Sequence, residues 1–359
     1  MIGVIARALS REPAPRPDTA KRVNLALQGG GAHGAFTWGV LDHLLADGRL
    51  SFDGISGTSA GAVNAVMLAD GLGRGGPEEA RKRLDDFWRA ASLGGDLPAV
   101  QRAVTDRLFS LLPAEGLPVQ TWFSAWSRLL SPYDFNPLNI NPLKDLIERF
   151  VDFGKLRADP RELFIAATNV QTGQLHIFTR DNISAEAVMA SACLPTVFRA
   201  VEIDGVPYWD GGYLGNPVIF PFFRSTATED VLIVQINPTI RKKVPHSNRD
   251  IFSRVQEISF NASLLVELRA IDFINRLIDE GRLPRGNGEG QYRRINVHRI
   301  VLEGLGEQFS SASKLRTDYE SFELLRKLGQ RAARRFLDAH YAQVGRESSV
   351  DLGAEIKTR

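Results

Sequence analysis

Two units of the same kind follow one another near the start of the chain, and they constrain its fold more than any other feature. In each, a short apolar run ends in glycines and continues into a helix-forming segment: VNLALQ precedes GGGAHG, and FDGIS precedes GTSAG. Apolar runs of this length that end in glycine indicate buried strands. Strands that alternate with helices indicate a parallel sheet. We therefore predict helices over 33–46 and 60–68 in an α/β fold.

The rest of the chain continues this alternation. We predict a charged helix over 78–91 after a flexible connection, GLGRGG, and a hairpin that joins ELFIAATNV to QLHIFTR. Further predicted elements are a short helix (SAEAVMASA), two strands across Asp204-Gly205, a buried strand (VLIVQIN), a helix over 251–278, a strand (YRRINVHRIVL) and a final helix over 314–342. We expect one catalytic domain over 21–345, with a Pro-rich arm (1–20) before it and a polar tail (346–359) after it. Helices should cover both faces of a mostly parallel sheet, giving three layers, α/β/α.

Composition excludes several classes of protein. Among 359 residues, 43% are apolar, which is too many for a disordered chain. The formal net charge is only +2, so charge gives no indication of nucleic-acid binding. Its one cysteine excludes a disulfide framework and a Cys-rich zinc site. No window approaches the roughly 20 apolar residues of a spanning helix, and no secretory signal is evident. We expect a cytoplasmic protein with no metal, no other cofactor and no nucleic-acid partner.

The glycine-rich loop between the first strand and helix has two chemical interpretations. Gly29, Gly30, Gly31 and the following residues satisfy G-x-G-x-x-G, which favours a dinucleotide site with Asp53 as the ribose-binding acid. Alternatively, the backbone N–H groups of such a loop stabilise an oxyanion. Glycines that merely permit a tight turn are the third possibility, and the loop alone does not choose among them.

The second turn favours the oxyanion interpretation. Gly57-Thr58-Ser59-Ala60-Gly61 follows a predicted strand and precedes a predicted helix, as a G-x-S-x-G nucleophile does. Ser59 would stand at the helix N-terminus, where the helix dipole favours developing negative charge. The N–H of Ala60 would point at the same oxyanion. We predict Ser59 as a nucleophile.

A nucleophilic serine needs a base, and no histidine is an obvious candidate. His246, His298 and His340 follow every plausible acid in the chain, but they lie in a polar loop, a strand and a helix end. Asp210 differs from an ordinary turn residue because Tyr208-Trp209 precedes it and Gly-Gly follows it. Asp210 is therefore the alternative partner.

Three segments together resemble the patatin-like phospholipase family: LALQGGGAHGAF, DGISGTSAGAVNA and LPTVFRAVEIDGVPYWDGGYLGNP. The resemblance implies a patatin or FabD-lysophospholipase-like fold and a lipid acyl hydrolase without a metal. It also implies a Ser59–Asp210 dyad, with Gly29, Gly30 and Gly31 lining the oxyanion hole. One position departs from the family pattern, since His33 stands where Arg or Lys is usual.

The implied reaction leads to further expectations. Burial beside its aromatic neighbours would raise the pKa of Asp210 and make it a better base. His33, Trp122 and Trp126 are candidate substrate contacts for a phospholipid or another fatty-acyl ester, although an apolar stripe such as that of the two tryptophans is more often core. The final helix carries a basic face: Lys327, Arg331, Arg334 and Arg335. We predict that this face makes peripheral contact with an anionic membrane. The alternative is that these side chains are simply exposed to solvent.

Five other functions stay open on the sequence alone. An acyltransferase or a polyester depolymerase would use the same dyad with another acceptor or ester. An ordinary Ser-Asp-His hydrolase would need one of the late histidines. A dinucleotide-binding protein would bind NAD, and a non-catalytic binding module would not react with a fluorophosphonate.

Overall fold

The computed structural model describes residues 20–92, 133, 141–195, 197–241, 243–303 and 318–356. The strands are β1 (Lys21–Leu27), β2 (Leu50–Gly57), β3 (Glu162–Asn169), β4 (Leu175–Thr179), β5 (Val201–Ile203), β6 (Val206–Asp210), β7 (Asp230–Gln235) and β8 (Asn296–Val301). The helices are α1 (Gly34–Asp47), α2 (Ala60–Ala90), α3 (Pro142–Phe150), α4 (Phe153–Ala158), α5 (Ala185–Ser191), α6 (Phe222–Ser225), α7 (Asn248–Asp279), α8 (Tyr319–His340) and α9 (Leu352–Ile356). Short 3-10 turns cover Gly31–His33, Arg180–Asn182 and Gly211–Tyr213.

The eight strands form one sheet in the order β5-β6-β3-β2-β1-β7-β8, with β4 paired to β3. Neighbouring strands from β3 through β2, β1 and β7 to β8 run parallel. The strands β4, β5 and β6 pair antiparallel with their neighbours. The carboxyl ends of the five parallel strands therefore meet at one edge of the sheet, where α/β proteins bind their ligands.

Side chains of the central strands pack alternately on two cores. Leu25 and Leu27 of β1 join the core that α1, α2 and α8 cover, whereas Ala26 joins the core beneath α7. Such alternation follows from the two-residue period of a strand, and both faces are apolar because helices cover both. The predicted α/β fold with three layers and a mostly parallel sheet is confirmed.

Helix α2 continues through the segment predicted as a flexible connection. Only Gly75 and Gly76 leave the helical conformation, and Gly76 has a φ of 75°. Beyond this kink the chain folds back against the first part of the helix, so that a Cβ on Gly71 would collide with the backbone of Ala80. The glycines therefore serve a close approach between two helical segments, and the prediction of a flexible connection is wrong for most of its length.

Residues 348–352, within the stretch assigned to a polar tail, pack against the sheet. Ser349 donates its N–H to the carbonyl of Val297 in β8, and Val297 donates its own N–H to the Ser348 hydroxyl. Leu352 is buried in the core beneath α7. These residues are thus held beside β8, at the edge of the sheet.

Candidate active site

Ser59 lies in a sharp turn between β2 and α2. Its φ of 55° and ψ of −124° are strained for a residue with a side chain. The N–H of Ser59 donates to the Ser191 hydroxyl at the end of α5 (2.9 Å), and the Thr58 hydroxyl donates to the carbonyl of Gly215 (2.6 Å). Neighbouring elements therefore hold the strained turn from two sides, as a nucleophile elbow requires.

The sheet places Asp210 beside this turn. Strand β3 lies between β2 and β6, and its Ile165 pairs with Gly57 while its Ala167 pairs with Asp210. The last residues of β2 and β6 are thus separated by one strand and two residues of register. The end of the sheet brings together the serine and the carboxylate that the sequence predicted, although 151 positions separate them in the chain.

The Asp210 carboxylate is completely buried. Its Oδ1 accepts the N–H of Gly212 (2.7 Å). No hydrogen bond of ordinary geometry reaches Oδ2 from the described residues, but the Ser59 hydroxyl is close enough to favour the charged form. Backbone hydrogen bonds to the carbonyl of Cys193 (2.8 Å) and from the Thr168 hydroxyl (2.8 Å) fix the peptide.

Burial raises the pKa of Asp210 from 3.8 to about 7. The hydrogen bond from Gly212 and the proximity of the Ser59 hydroxyl act in the opposite direction but are smaller effects. A carboxylate with such a pKa is a far stronger base than an exposed aspartate, and it is substantially ionised at neutral pH. Burial likewise raises the pKa of Cys193 to about 12, so this neighbouring thiol stays neutral.

The glycine-rich loop packs directly against the serine turn. A Cβ on Gly29 would lie 2.5 Å from the Thr58 carbonyl oxygen and 2.6 Å from the Ser59 Cβ, so only glycine fits there. Gly31 adopts a φ of 60°, which favours glycine. The loop and the turn therefore form one site at the carboxyl edge of β1 and β2.

One predicted oxyanion donor is engaged elsewhere. The N–H of Gly29 donates to Asn216 Oδ1 over 2.6 Å, so this N–H is not available to an oxyanion, which corrects that part of the prediction. Within the described residues, no acceptor is found for the N–H groups of Gly30, Gly31 or Ala60. These three remain the candidate donors.

A cluster of buried amides, which the sequence analysis missed, holds the loop in place. Asn216 donates to the Gly29 carbonyl (3.4 Å), and so does Asn237 (2.7 Å). Gln28 accepts the N–H groups of Ile236 (2.9 Å) and Asn237 (2.8 Å). Its own amide donates to Asn261 of α7 (2.9 Å). In the sequence, the one sign of this cluster is Asn216, which follows the glycines of GGYLGNP.

Two of the three late histidines, His298 and His340, are bonded to partners away from Ser59 and Asp210. His298 bonds Asp230 (2.9 Å) and Ser349 (3.1 Å), near the amino ends of β7 and β8. His340 bonds Gln343, and His246 is exposed in the loop after β7. These positions do not support an ordinary Ser-Asp-His triad.

The dinucleotide interpretation also lacks support. Asp53 accepts the N–H groups of Ala227 (2.8 Å) and Thr228 (3.1 Å). It lies in β2 four residues before Gly57, which is about 13 Å along a strand. A ribose-binding acid belongs at the carboxyl end of the second strand, so Asp53 has a structural role instead.

The remaining predicted contacts divide between buried, exposed and undescribed residues. His33 is 3% exposed at the start of α1, a position with little access for a lipid headgroup. Trp122 and Trp126 lie outside the described residues. The four basic side chains of α8 are exposed, as a peripheral contact would require. No three His, Cys, Asp or Glu side chains in the described ranges are grouped so as to hold a metal ion.

Comparison with known proteins identifies the family. The model of the patatin-like phospholipase family matches residues 25–223, more than half of the chain and the whole span from the glycine-rich loop through Asp210. The chain belongs to the patatin-like phospholipase family. A comparison with curated proteins finds no match. No helix in the described part of this family member has the length and apolarity needed to cross a bilayer.

Two solved structures are similar to this patatin-like chain. VipD from Legionella pneumophila is 16% identical with a TM-score of 0.42, over 90% of this chain and 67% of that one. ExoU, in its complex with SpcU from the type III secretion system of Pseudomonas aeruginosa, is 15% identical with a TM-score of 0.37. The match to ExoU covers 91% of this chain and 52% of that one, so the chain spans about half of ExoU.

Proposed function

We propose that the chain is a serine lipid acyl hydrolase, of phospholipase A or lysophospholipase type, in which Ser59 and Asp210 form the catalytic dyad. The observation that carries this proposal is the strained Ser59 beside a fully buried carboxylate whose pKa is raised to about 7. Membership in a family of lipid hydrolases supports the class of substrate. The proposed acceptor of the acyl group is water.

Acylation begins when Asp210 takes the hydroxyl proton of Ser59. The Ser59 Oγ bonds to the ester carbonyl carbon, and the carbonyl oxygen becomes an oxyanion. The N–H groups of Gly30, Gly31 and Ala60 donate to it, and each such donor is worth about 3 kcal/mol of transition-state stabilisation. The intermediate collapses as the ester C–O bond breaks, and Asp210 returns its proton to the leaving alcohol.

Deacylation repeats these steps with water. Asp210 takes a proton from water while the water oxygen bonds to the acyl carbon. The Ser59 Oγ then leaves, recovers the proton from Asp210, and a fatty acid is released. The raised pKa serves both halves of the cycle, because a group with a pKa near the working pH accepts and returns a proton with comparable ease.

The direct test is hydrolysis of phosphatidylcholine and lysophosphatidylcholine, with products identified by mass spectrometry. We expect Ser59→Ala and Asp210→Asn each to lower kcat/KM by about 10³-fold or more, as loss of a nucleophile or its base does. Matched controls are Ser51→Ala, at the other end of β2, and Asp204→Asn, in the exposed turn between β5 and β6. Both should retain the parent rate.

Three results would contradict the proposal. Full activity of Ser59→Ala would exclude the nucleophile. Transfer of the acyl chain to an added alcohol or lysolipid, with no fatty acid released, would show an acyltransferase instead of a hydrolase. Hydrolysis of a polyester but of neither lipid would show that the substrate is not a lipid.

A further inference from the structure

An unusual group of exposed apolar side chains lies where the loop after β7 meets the first turns of α7. Its members are between 43% and 82% exposed, and they are here called the apolar patch: Ile240, Val244, Ile251, Phe252 and Val255. Single exposed apolar residues are common in soluble proteins. Five within 16 positions of the chain are a feature that marks contact with a partner or a membrane.

The patch is held in shape by ion pairs. Arg241, next to Ile240, pairs with the buried Glu257 of α7. Arg254 of the same helix pairs with Glu257 and donates to the carbonyl oxygens of Pro238 (3.3 Å) and Thr239 (2.8 Å). These contacts fasten the loop to the helix while the Ile240 side chain remains 82% exposed. The exposure is thus built into a fixed surface.

This surface borders the candidate active site. Asn237 bonds the carbonyl of Gly29 in the glycine-rich loop, and Ile240 follows three residues later, within about 11 Å of chain. Phe260, five residues along α7 from Val255, stacks edge-on against Tyr213 with 5.3 Å between the ring centroids. Tyr213 belongs to the turn that follows Asp210. The patch and the dyad therefore share one edge of the sheet.

Charge distinguishes this end of α7 from the other. Residues 238–258 contain five basic and two acidic residues, whereas residues 259–279 contain two basic and three acidic ones. Val266 and Phe273, which are 61% and 54% exposed, continue the same helix face into the acidic half. Apolar side chains in a segment rich in Lys and Arg match the interface of an anionic bilayer, where the apolar side chains enter the headgroup region and the basic ones attract the anionic lipids.

We propose that the apolar patch binds the surface of an anionic lipid bilayer and sets the active site against it. This inference rests on the proposed function, because contact with a bilayer brings the site to a substrate that resides there. A second copy of the chain paired along α7 would use Val266 and Phe273 as well, and would gain nothing from the basic loop. Contact with an anionic bilayer explains both the exposed apolar side chains of the loop and the excess of basic residues around them in the chain.

The test uses the full chain with Ser59→Ala, so that the vesicles stay intact. Flotation with vesicles of equal parts phosphatidylcholine and phosphatidylglycerol measures binding. Adding Ile240→Asp and Phe252→Asp should lower the partition coefficient at least tenfold. The matched control, Val266→Asp with Phe273→Asp, removes two side chains of similar exposure from the same helix face and should change it less than twofold. Circular dichroism and the Tm verify folding of each variant.

Several outcomes would overturn the inference. These are unchanged flotation of the patch variant, an equal loss in the control, or light scattering that shows a dimer dissociated by the patch substitutions. Flotation abolished instead by neutralising the four basic residues of α8 would move the contact to that helix. With Ser59 intact, the patch variant should lose at least tenfold more activity on vesicles than on a water-soluble short-chain ester. Failure of the parent chain to hydrolyse any ester would refute the proposed function and leave the flotation result standing.

Discussion

The pKa of Asp210 predicts an unusual effect of Asp210→Asn on stability. In the folded chain this carboxyl has a pKa of about 7 instead of 3.8 because it is completely buried. The folded state therefore holds the proton more tightly than the unfolded state does. The stability contributed by this proton is fully present below pH 4 and is lost as the pH rises through 7. The neutral amide of asparagine has no such dependence.

The magnitude follows from the difference of about three pH units between the two states. Each unit corresponds to about 1.4 kcal/mol, so ionised Asp210 costs the fold about 4 kcal/mol above pH 8. Between pH 5 and pH 9, ionisation of Asp210 lowers the free energy of unfolding of the parent by about 3 kcal/mol. From pH 5 to pH 9, the free energy of unfolding of Asp210→Asn should therefore rise by about 3 kcal/mol relative to that of the parent.

Urea denaturation of both proteins at pH 5, 7 and 9 measures this difference. Comparing the two proteins at each pH cancels the titration of all other groups. Asp204→Asn provides the matched control, since it removes an exposed carboxylate from a turn where asparagine tolerates the positive φ of 50°. Its difference from the parent should stay constant with pH. A constant difference for Asp210→Asn too would refute the raised pKa and the argument from burial.

Three further predictions concern the reaction. The kcat/KM for a soluble ester should fall about tenfold per unit below pH 7 as Asp210 becomes protonated, and a profile flat from pH 5 to 8 would exclude a base of this pKa. Asn216→Ala should lower kcat by about 10²-fold with little change in KM, because the Gly29 peptide loses its anchor and the oxyanion donors shift; a change confined to KM would contradict this role. Gly29→Ala should abolish labelling by a fluorophosphonate, because its Cβ would meet the Thr58 carbonyl oxygen at 2.5 Å, whereas Gly173→Ala, at an exposed hairpin turn, should label normally.

The layers of the fold and the turn that carries Ser59 could be predicted from local sequence. Apolar runs that end in glycine mark strands whose turns need close backbone approach, and Ser59 occupies such a turn. The pairing of Asp210 across β3 could not be read from spacing, because it depends on the antiparallel addition of β6 to the sheet. Only the likeness to a family brought these two residues together in advance.

The amide cluster escaped prediction for a related reason. Gln28, Asn216 and Asn261 come from three distant segments, and each alone looks like an ordinary polar residue. Their role arises because the glycine-rich loop is buried, and buried peptide groups need partners. The same requirement explains why the N–H of Gly29 was wrongly assigned to the oxyanion. A glycine motif shows where the backbone lacks covering side chains. The tertiary contacts of the fold determine which of its N–H groups already have a hydrogen-bond acceptor.

The proposed roles of Ser59 as nucleophile and of Asp210 as its base have a direct test: mass spectrometry of the chain after reaction with a fluorophosphonate, with the modified residue identified in the peptide digest. We expect one adduct, on Ser59, that forms at least 10²-fold more slowly in Asp210→Asn and not at all in Ser59→Ala, as is typical of a serine that depends on its base. An adduct on another residue, or labelling of Asp210→Asn at the parent rate, would contradict these roles.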